Sequence, residues 1–254
     1  SQGADDYLYD DTDGKGLNSS TAQDGDSSYS ALEHQWDEGF GYFGAARNYG
    51  AFTDDEIAGA GGRDGWASGY HDADGDGAID LESEINLGHS VNAAKRDRGA
   101  QSGVDLTQQA WDAFRLGRTI IHAAEGPLSS AQLDALKAAR DEALDAWEKA
   151  IMATAVHYIN DTLADMAKFG TEEYDFLDHA KHWAELKGFA FAPQFSRFSP
   201  MTEAQFLQLH TLIGDAPVLP GDEAAAAAYA DSLREARALI AAAYDFDTAD
   251  VEAW

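Results

Sequence analysis

Apolar residues recur along this chain at intervals of three and four. Leu32, Trp36, Phe40 and Phe43 are spaced by four, four and three residues, which puts them on one face of a helix. Later segments repeat this spacing, and no segment shows the period of two that a half-buried strand requires. We therefore predict an all-α fold.

Local composition divides the chain into a polar arm, a glycine-rich excursion and a series of predicted helices. Residues 1–28 are rich in Asp, Gly, Ser and Asn, so we expect a polar N-terminal arm that adds little to the core. Residues 29–254 are predicted to form one helical domain. Residues 44–103 are glycine-rich with scattered aromatic residues, and we expect a long excursion inserted between the first two helices. The further predicted helices, after the one that begins near residue 29, are 106–124, 129–169, 171–191, 202–213 and 222–244.

The charge of the chain excludes some partners. With 46 Asp plus Glu against 17 Lys plus Arg, the net charge is −29, a field that repels nucleic acid and anionic lipid surfaces. Such acidity suits cations, and it equally suits solubility in salty water. There is no cysteine, so thiolate metal sites are excluded. No apolar run approaches the roughly 20 residues of a transmembrane helix.

An aspartate-rich segment in the excursion matches a calcium-binding loop. Asp72, Asp74, Asp76 and Asp80 stand at positions one, three, five and nine of the EF-hand pattern, with glycine at position six. Alternate residues of such a loop turn their oxygens inward, and the carbonyl of Ala78 at position seven is the expected backbone ligand. The alternative interpretation is an Asp-Gly turn on an acidic surface.

Position twelve of the pattern departs from the usual loop. A bidentate glutamate is expected there, but Ser83 occupies it and Glu82 and Glu84 flank it. Either glutamate is a candidate ligand. A calcium ion would order the excursion, and a single loop of this kind is not a paired sensor.

Histidine and carboxylate pairs at helical spacing are candidate transition-metal ligands. His34 precedes Asp37 by three residues and Glu38 by four, and His182 precedes Glu185 by three. Residues at these offsets share a helix face. Facing helices with such pairs build iron or manganese sites in bundles. The other interpretation of each pair is a salt bridge or a satisfied core histidine, and a similar pair is formed by His157 and Asp161.

Four runs in the sequence resemble a bacterial family related to the imelysins. They are HQWDEGFGYFG at 34–44, NAAKRD at 92–97, ATAVHYIN at 153–160 and HWAELKGFA at 182–190. The resemblance extends over about residues 29–246. The signature of the imelysins is Gly-x-His-x-x-Glu, which His34-x-x-Asp37 and His182-x-x-Glu185 match in part.

The resemblance implies an imelysin-like helical bundle that is exported to the periplasm, outer membrane or cell surface. Such proteins are often linked to iron acquisition, which implies iron or another transition metal at the histidine sites and an outer-membrane transport system as partner. Some were first described as peptidases, but no His-Glu-x-x-His helix occurs here to hold zinc and a base. The alternative function is a non-enzymatic module that binds polysaccharide, protein or haem and whose only metal is calcium.

Overall fold

The computed structural model of this chain describes residues 3–59, 70, 72 and 74–254. Nine α-helices lie in these residues: α1 (Ala31–Phe43), α2 (Asp54–Ile57), α3 (His89–Gly99), α4 (Leu106–His122), α5 (Ser130–Met166), α6 (Phe176–Ala190), α7 (Glu203–Ile213), α8 (Glu223–Tyr244) and α9 (Thr248–Ala253). The β-pairing in the described part of the chain consists of two isolated bridges, Gln23 with Ser30 and Tyr70 with Ile85. The all-α prediction is confirmed for these residues.

Helix ends follow local capping chemistry. Ser30 and Glu33 form a capping box that starts α1, and Gly44 ends this helix in the left-handed region with φ of 87°, which glycine adopts without strain. Asp222 caps α8 by accepting the N–H of Ala225 at 3.0 Å. The predicted start at residue 171 is wrong by several residues, because Asp175 is the cap that begins α6.

The chain divides into two compact units. Unit 1 is Ser1–Arg98, Asp105–Glu148 and Ser196–Phe198, and unit 2 is Gly99–Val104, Lys149–Phe195 and Ser199–Trp254. These boundaries differ from the predicted division after residue 28. Helix α5 belongs to unit 1 up to Glu148 and to unit 2 from Lys149.

Aromatic rings form the core of unit 1. Phe43 of α1 packs edge-on against Trp147, with ring centroids 5.5 Å apart, and also against Tyr49 at 5.9 Å. Trp36 donates its indole N–H to the Phe114 carbonyl at 2.9 Å, which satisfies the one polar atom of a buried tryptophan. These contacts hold α1 against α4, against α5 and against the 3₁₀ turn Tyr49–Ala51.

The N-terminal arm was expected to add little core, and this expectation is wrong. Ala4, Leu8 and Leu17 are all at most 2% exposed. The arm contacts α1 through a π-helical turn, Gly3–Tyr7, and a 3₁₀ turn, Gly16–Asn18. Its few apolar residues therefore bury the side of α1 that would otherwise face solvent.

The glycine-rich excursion contains more regular structure than predicted. Helices α2 and α3 and the 3₁₀ turn Tyr49–Ala51 all lie within 44–103. Helix α3 was missed because the residues it buries are the small Ala93 and Ala94 and the polar Ser90 and Arg96, which leave a weak apolar period. Residues 60–69 of the excursion, and His71 and Ala73 of the aspartate loop, lie outside the described residues.

Unit 2 is built on helix pairs. Helices α7 and α8 pack on each other. Trp183 of α6 donates to the Tyr229 hydroxyl of α8 at 2.8 Å, and that hydroxyl donates in turn to the Ile213 carbonyl that ends α7. The fully buried apolar side chains of this unit are drawn from α5 to α8 and include Met152, Val156, Ile159, Leu186, Leu209, Ile213, Leu233 and Ile240.

Candidate metal sites

Asp72, the first residue of the aspartate loop, organises the turn that follows it. Its Oδ1 accepts the N–H groups of Gly75 at 2.7 Å and Asp76 at 3.1 Å, and its Oδ2 accepts the N–H of Gly77 at 2.8 Å. These amides, the one from Gly77 foremost, lower the pKa of the Asp72 carboxyl, because they stabilise its ionised form. Asp72 therefore stays charged at neutral pH.

The next aspartates repeat this pattern on a smaller scale. Asp74 Oδ1 accepts the N–H of Asp76 at 3.0 Å, and Asp76 Oδ1 accepts the N–H of Ala78 at 2.8 Å. Asp80 accepts the N–H of Glu82 at 2.8 Å and the Ser83 hydroxyl at 2.6 Å. Each carboxylate thus accepts N–H groups from residues that follow it, and these hydrogen bonds hold Asp72 and residues 74–80 in a loop.

Glu84 reaches back into this loop, whereas Glu82 turns away from it. The Glu84 side chain accepts the N–H of Asp74 at 3.2 Å through Oε1 and the N–H of Asp80 at 2.9 Å through Oε2. Glu84 is only 3% exposed. Glu82 instead forms an ion pair with Arg47. Of the two glutamates that flank position twelve, Glu84 is the one that joins the aspartates.

Three carboxylates converge at the loop. Oxygen atoms of Asp72, Asp74 and Glu84 all lie within 4.8 Å of one another. Bringing three negative charges this close is unfavourable without a cation, and carboxylate oxygens are the ligands that calcium prefers. The residues present therefore fit a calcium ion, to which Asp76, Asp80 and the Ala78 carbonyl are the remaining candidate ligands.

The two ends of the loop are anchored. Tyr70 before the loop pairs with Ile85 after it in an isolated antiparallel bridge. Leu87 donates its N–H to the Gly44 carbonyl at 2.8 Å, and Ala46 donates to Asn86 Oδ1 at 2.9 Å. The segment that follows the loop is thereby attached to the residues that follow α1.

The first histidine pair is only partly assembled. His34 Nε2 lies 3.3 Å from Glu38 Oε1, but Asp37 accepts from Arg118 Nε at 2.9 Å. The His34 side chain is 43% exposed. In unit 1 the structure therefore brings His34 and Glu38 together, whereas Asp37 forms an ion pair with Arg118 of α4.

Arg118 belongs to an ionic cluster that sequence analysis did not identify. It donates to Glu33 Oε1 at 2.5 Å, and His122 Nδ1 lies 3.0 Å from the same oxygen. Burial alone would raise the pKa of Glu33, but the Ser30 N–H, His122 and Arg118 together lower it to about 2. A capping-box glutamate that meets an arginine 85 residues away in sequence has no local signature beyond the box itself.

The second histidine pair, in unit 2, has different partners from those predicted. His182 Nδ1 lies 2.7 Å from Asp165 Oδ2 and its Nε2 lies 3.9 Å from Asp161 Oδ2. Glu185 instead lies 3.9 Å from Lys181 Nζ, and its buried Oε2 has no hydrogen-bond partner among the described residues. The carboxylates that His182 faces come from α5.

Asp161 lies between two imidazole rings. Its Oδ2 is 3.3 Å from His157 Nε2 and 3.9 Å from His182 Nε2. Asp165, only 5% exposed at its side chain, was missed by sequence analysis. Its four-residue offset from Asp161 was the available indication, because residues at that spacing share a helix face.

No protein-family model matches this chain, and comparisons with curated proteins and with solved structures gave no match. None of the described helices combines the length and the apolar character needed to span a bilayer. The function is therefore argued from the two candidate metal sites.

Proposed function

We propose that this chain is an exported calcium-binding helical protein, in which the ion is held by the aspartate loop and Glu84. The convergence of Asp72, Asp74 and Glu84 oxygens within 4.8 Å carries the proposal. The spacing of Asp72, Asp74, Asp76 and Asp80, which matches the EF-hand pattern, supports it as well. Export rests on the imelysin resemblance.

The loop residues have separate tasks in this proposal. The bound ion would supply the positive charge that offsets three converging carboxylates. Asp72 and Asp76 shape the backbone through their amide contacts, while Glu84 connects the loop to the buried segment after it. Loading the loop would therefore hold residues 72–84 firmly against the end of α1. This is a structural role, and it involves no catalysis.

Isothermal titration of the metal-free protein with calcium chloride tests this proposal, and the two neighbouring glutamates give a matched pair of variants. Glu84→Gln removes a charge from the cluster, so we expect calcium affinity to fall at least tenfold. Glu82→Gln removes the same charge two residues away but breaks only the Arg47 ion pair, so we expect a change of less than threefold. Absence of calcium binding by the wild type, or equal losses in the two variants, would overturn the assignment.

A second candidate function is transition-metal binding linked to iron acquisition, and the Asp161 cluster favours it. When His182 donates its Nδ1 proton to Asp165, its Nε2 presents a lone pair to the negatively charged Asp161 Oδ2. Two acceptors that face each other at 3.9 Å repel, and a proton or a metal ion between them would offset that repulsion. Bonds of about 2.1 Å at tetrahedral angles separate ligand atoms by about 3.4 Å, close to the 3.3 Å between His157 Nε2 and Asp161 Oδ2 but shorter than the 3.9 Å between His182 Nε2 and the same oxygen.

This second candidate revises the ligand set within unit 2. In it His182 stays a ligand, Asp161 and His157 are added, and Asp165 orients the His182 ring, as carboxylates commonly do for metal-bound histidine. The three ligand side chains are not among those whose atoms converge within 4.8 Å in the described residues, so side-chain movement would have to close the site around an ion. Glu185 would join this ligand set only after a change of its side-chain rotamer. His34 and Glu38 stay a separate, weaker hypothesis in unit 1. Iron as the metal, and an outer-membrane transport system as the partner, rest on the imelysin resemblance.

Cobalt(II) titration followed by visible absorption distinguishes these possibilities. His182→Gln and His157→Gln should each remove the cobalt spectrum, and His34→Gln should leave it unchanged. His122→Gln is the control, since that ring is paired with Glu33 in unit 1. A wild-type protein that takes up calcium but gives no cobalt spectrum would instead favour the alternative function, a binding module whose only metal is calcium.

A further inference from the structure

Unit 1 contains a cavity of about 830 Å³ that neither metal site uses. Two of its walls are formed by helices, with Phe40 on α1 and Trp111 on α4 facing it. A third wall is formed by Leu81, Ile85 and Leu87, which belong to the segment that follows the aspartate loop. Exposed apolar surface is unfavourable in water, so a cavity with these walls suits an apolar or aromatic ligand.

Arginines line the same cavity. Arg47, Arg115 and Arg118 all border it, although the whole chain has only 17 lysine and arginine residues and a net charge of −29. Two of them have close partners, because Arg47 pairs with Glu82 and Arg118 pairs with Glu33 and Asp37. Asp37 and Glu82 line the cavity as well, so these pairs offset two of the three arginine charges. Arg115 is left as the lining cation that no lining carboxylate offsets, and such a charge would attract an anion.

Arg115 is the arginine best placed for a ligand. Its Nη2 lies 3.9 Å from Asp112 Oδ1, longer than a hydrogen bond, and its side chain is 66% exposed. A carboxylate, sulfonate or phosphate group could therefore form a bidentate pair with this guanidinium without first displacing a hydrogen-bonded partner seen here.

We propose that this cavity binds a small amphipathic anion, whose apolar body lies against Phe40 and Trp111 and whose charged group pairs with Arg115. The occupancy of the cavity depends on the aspartate loop, because Leu81, Ile85 and Leu87 follow that loop directly and Glu84 lies among them. This dependence rests on the proposed calcium function, whereas the ligand class does not.

Two fluorescent probes test the ligand class. 1-Anilinonaphthalene-8-sulfonate carries an aromatic body and one negative charge, and N-phenyl-1-naphthylamine has the same body without the charge. We expect the calcium-loaded protein to bind the sulfonate with one-to-one stoichiometry and at least tenfold more tightly than the neutral probe. Equal affinities for the two probes would overturn the anionic preference.

Arginine variants locate the charged end of the probe. Arg115→Gln should weaken sulfonate binding at least fivefold and leave the neutral probe unaffected. Arg234→Gln is a matched control, because Arg234 also pairs with an aspartate three residues earlier, Asp231, but it lies in unit 2. Equal effects of the two substitutions would contradict the role of Arg115.

Glycine variants locate the apolar end. Gly41 of α1 borders the cavity, and a Cβ added there meets no atom within 4 Å. Gly41→Leu should therefore place a larger apolar side chain at the border of the cavity and weaken binding of both probes at least fivefold. Gly188→Leu in α6 is the control, since Gly188 is also helical with open space around its Cβ position. Near-UV circular dichroism matching the wild type shows that each variant is folded, and unchanged probe binding by a folded Gly41→Leu protein would overturn the proposed site.

Calcium removal tests the dependence on the loop. Chelation with EGTA should weaken sulfonate binding at least fivefold in the wild type. At a calcium concentration that loads the wild type but not Glu84→Gln, the variant should already show the weaker binding, and EGTA should change it little. If titration shows that calcium binds but EGTA leaves probe affinity unchanged, the dependence is wrong. If calcium does not bind at all, the proposed function and the dependence both fail, while the Arg115 and Gly41 variants still decide the ligand class.

Discussion

Gly117 of α4 lies against the indole ring of Trp36 on α1, so closely that a Cβ atom at Gly117 would be 2.0 Å from Trp36 Cζ2. Trp36 is 1% exposed and its N–H is held by Phe114, so the ring has no room to move. In most helices a glycine is unfavourable relative to alanine by about 1 kcal/mol. Here the close approach of two helices requires it.

Gly117→Ala should therefore destabilise the protein by about 1–3 kcal/mol, since overpacking in a filled core costs that much. Gly188→Ala should instead raise the free energy of unfolding by about 0.5–1 kcal/mol, because its Cβ would meet open space and alanine favours a helix. Urea unfolding of both variants measures the difference. Stabilisation by Gly117→Ala would show that the two helices are not this close.

The Glu33 cluster predicts a pH dependence of stability. The folded-state pKa of Glu33 is lowered from 4.5 to about 2, so its ionic contacts stabilise the fold fully above pH 4.5 and are lost as the pH falls towards 2. The shift corresponds to a contribution of up to about 3 kcal/mol. Glu33→Gln should lower the unfolding free energy at pH 7, and its difference from the wild type should shrink between pH 4.5 and pH 2. Asp231→Asn, an exposed control, should show no such trend.

Asp165 should control transition-metal affinity through His182. Asp165→Asn weakens the hydrogen bond that sets the ring orientation, so cobalt affinity should fall by about tenfold while calcium affinity is unchanged. Asp178→Asn removes an exposed carboxylate from the same unit and should have no effect. Identical cobalt affinities in the wild type and Asp165→Asn would argue against a role for Asp165 in metal binding.

The arm provides a prediction about stability. Leu8 is fully buried, and a Cβ added at Gly39 of α1 would lie 2.6 Å from Leu8 Cδ2. Leu8→Ala should cost about 2–5 kcal/mol, as large-to-small substitutions in a core do. Leu177→Ala, at a residue that is 73% exposed, should change stability by less than about 0.5 kcal/mol. If the two variants unfold at the same urea concentration, the arm is not part of the core.

The bounds of helices with a strong apolar period could be predicted from the sequence. Segments with a weak apolar period could not be predicted in this way. Helix α4 was expected at 106–124 and spans Leu106–His122, and α8 was expected at 222–244 and spans Glu223–Tyr244. Helix α3 and the arm were misjudged, because α3 buries small or polar side chains and the buried leucines of the arm, Leu8 and Leu17, stand among polar residues. Their structure depends on surfaces supplied by other parts of unit 1, and no local pattern encodes such surfaces.

The sequence also predicted some features of the candidate sites and not others. Asp72, Asp74 and Asp76 alternate with small residues at the spacing of an EF-hand loop, so sequence reasoning located the loop. The choice between Glu82 and Glu84 depends on Arg47, which is distant in sequence. In the same way, Asp37 pairs with Arg118 and not with His34, because Arg118 lies next to it in the fold. Ion pairs between distant residues therefore decided the details that helical spacing left open.

The amide contacts of Asp72 have a consequence for ion selectivity. A carboxylate held by three backbone N–H groups moves inward less readily than one that rotates freely. Magnesium requires ligands at about 2.1 Å in a near-ideal octahedron, whereas calcium accepts irregular shells at about 2.3–2.6 Å. If the loop binds calcium as proposed, we therefore expect it to prefer the larger ion to magnesium.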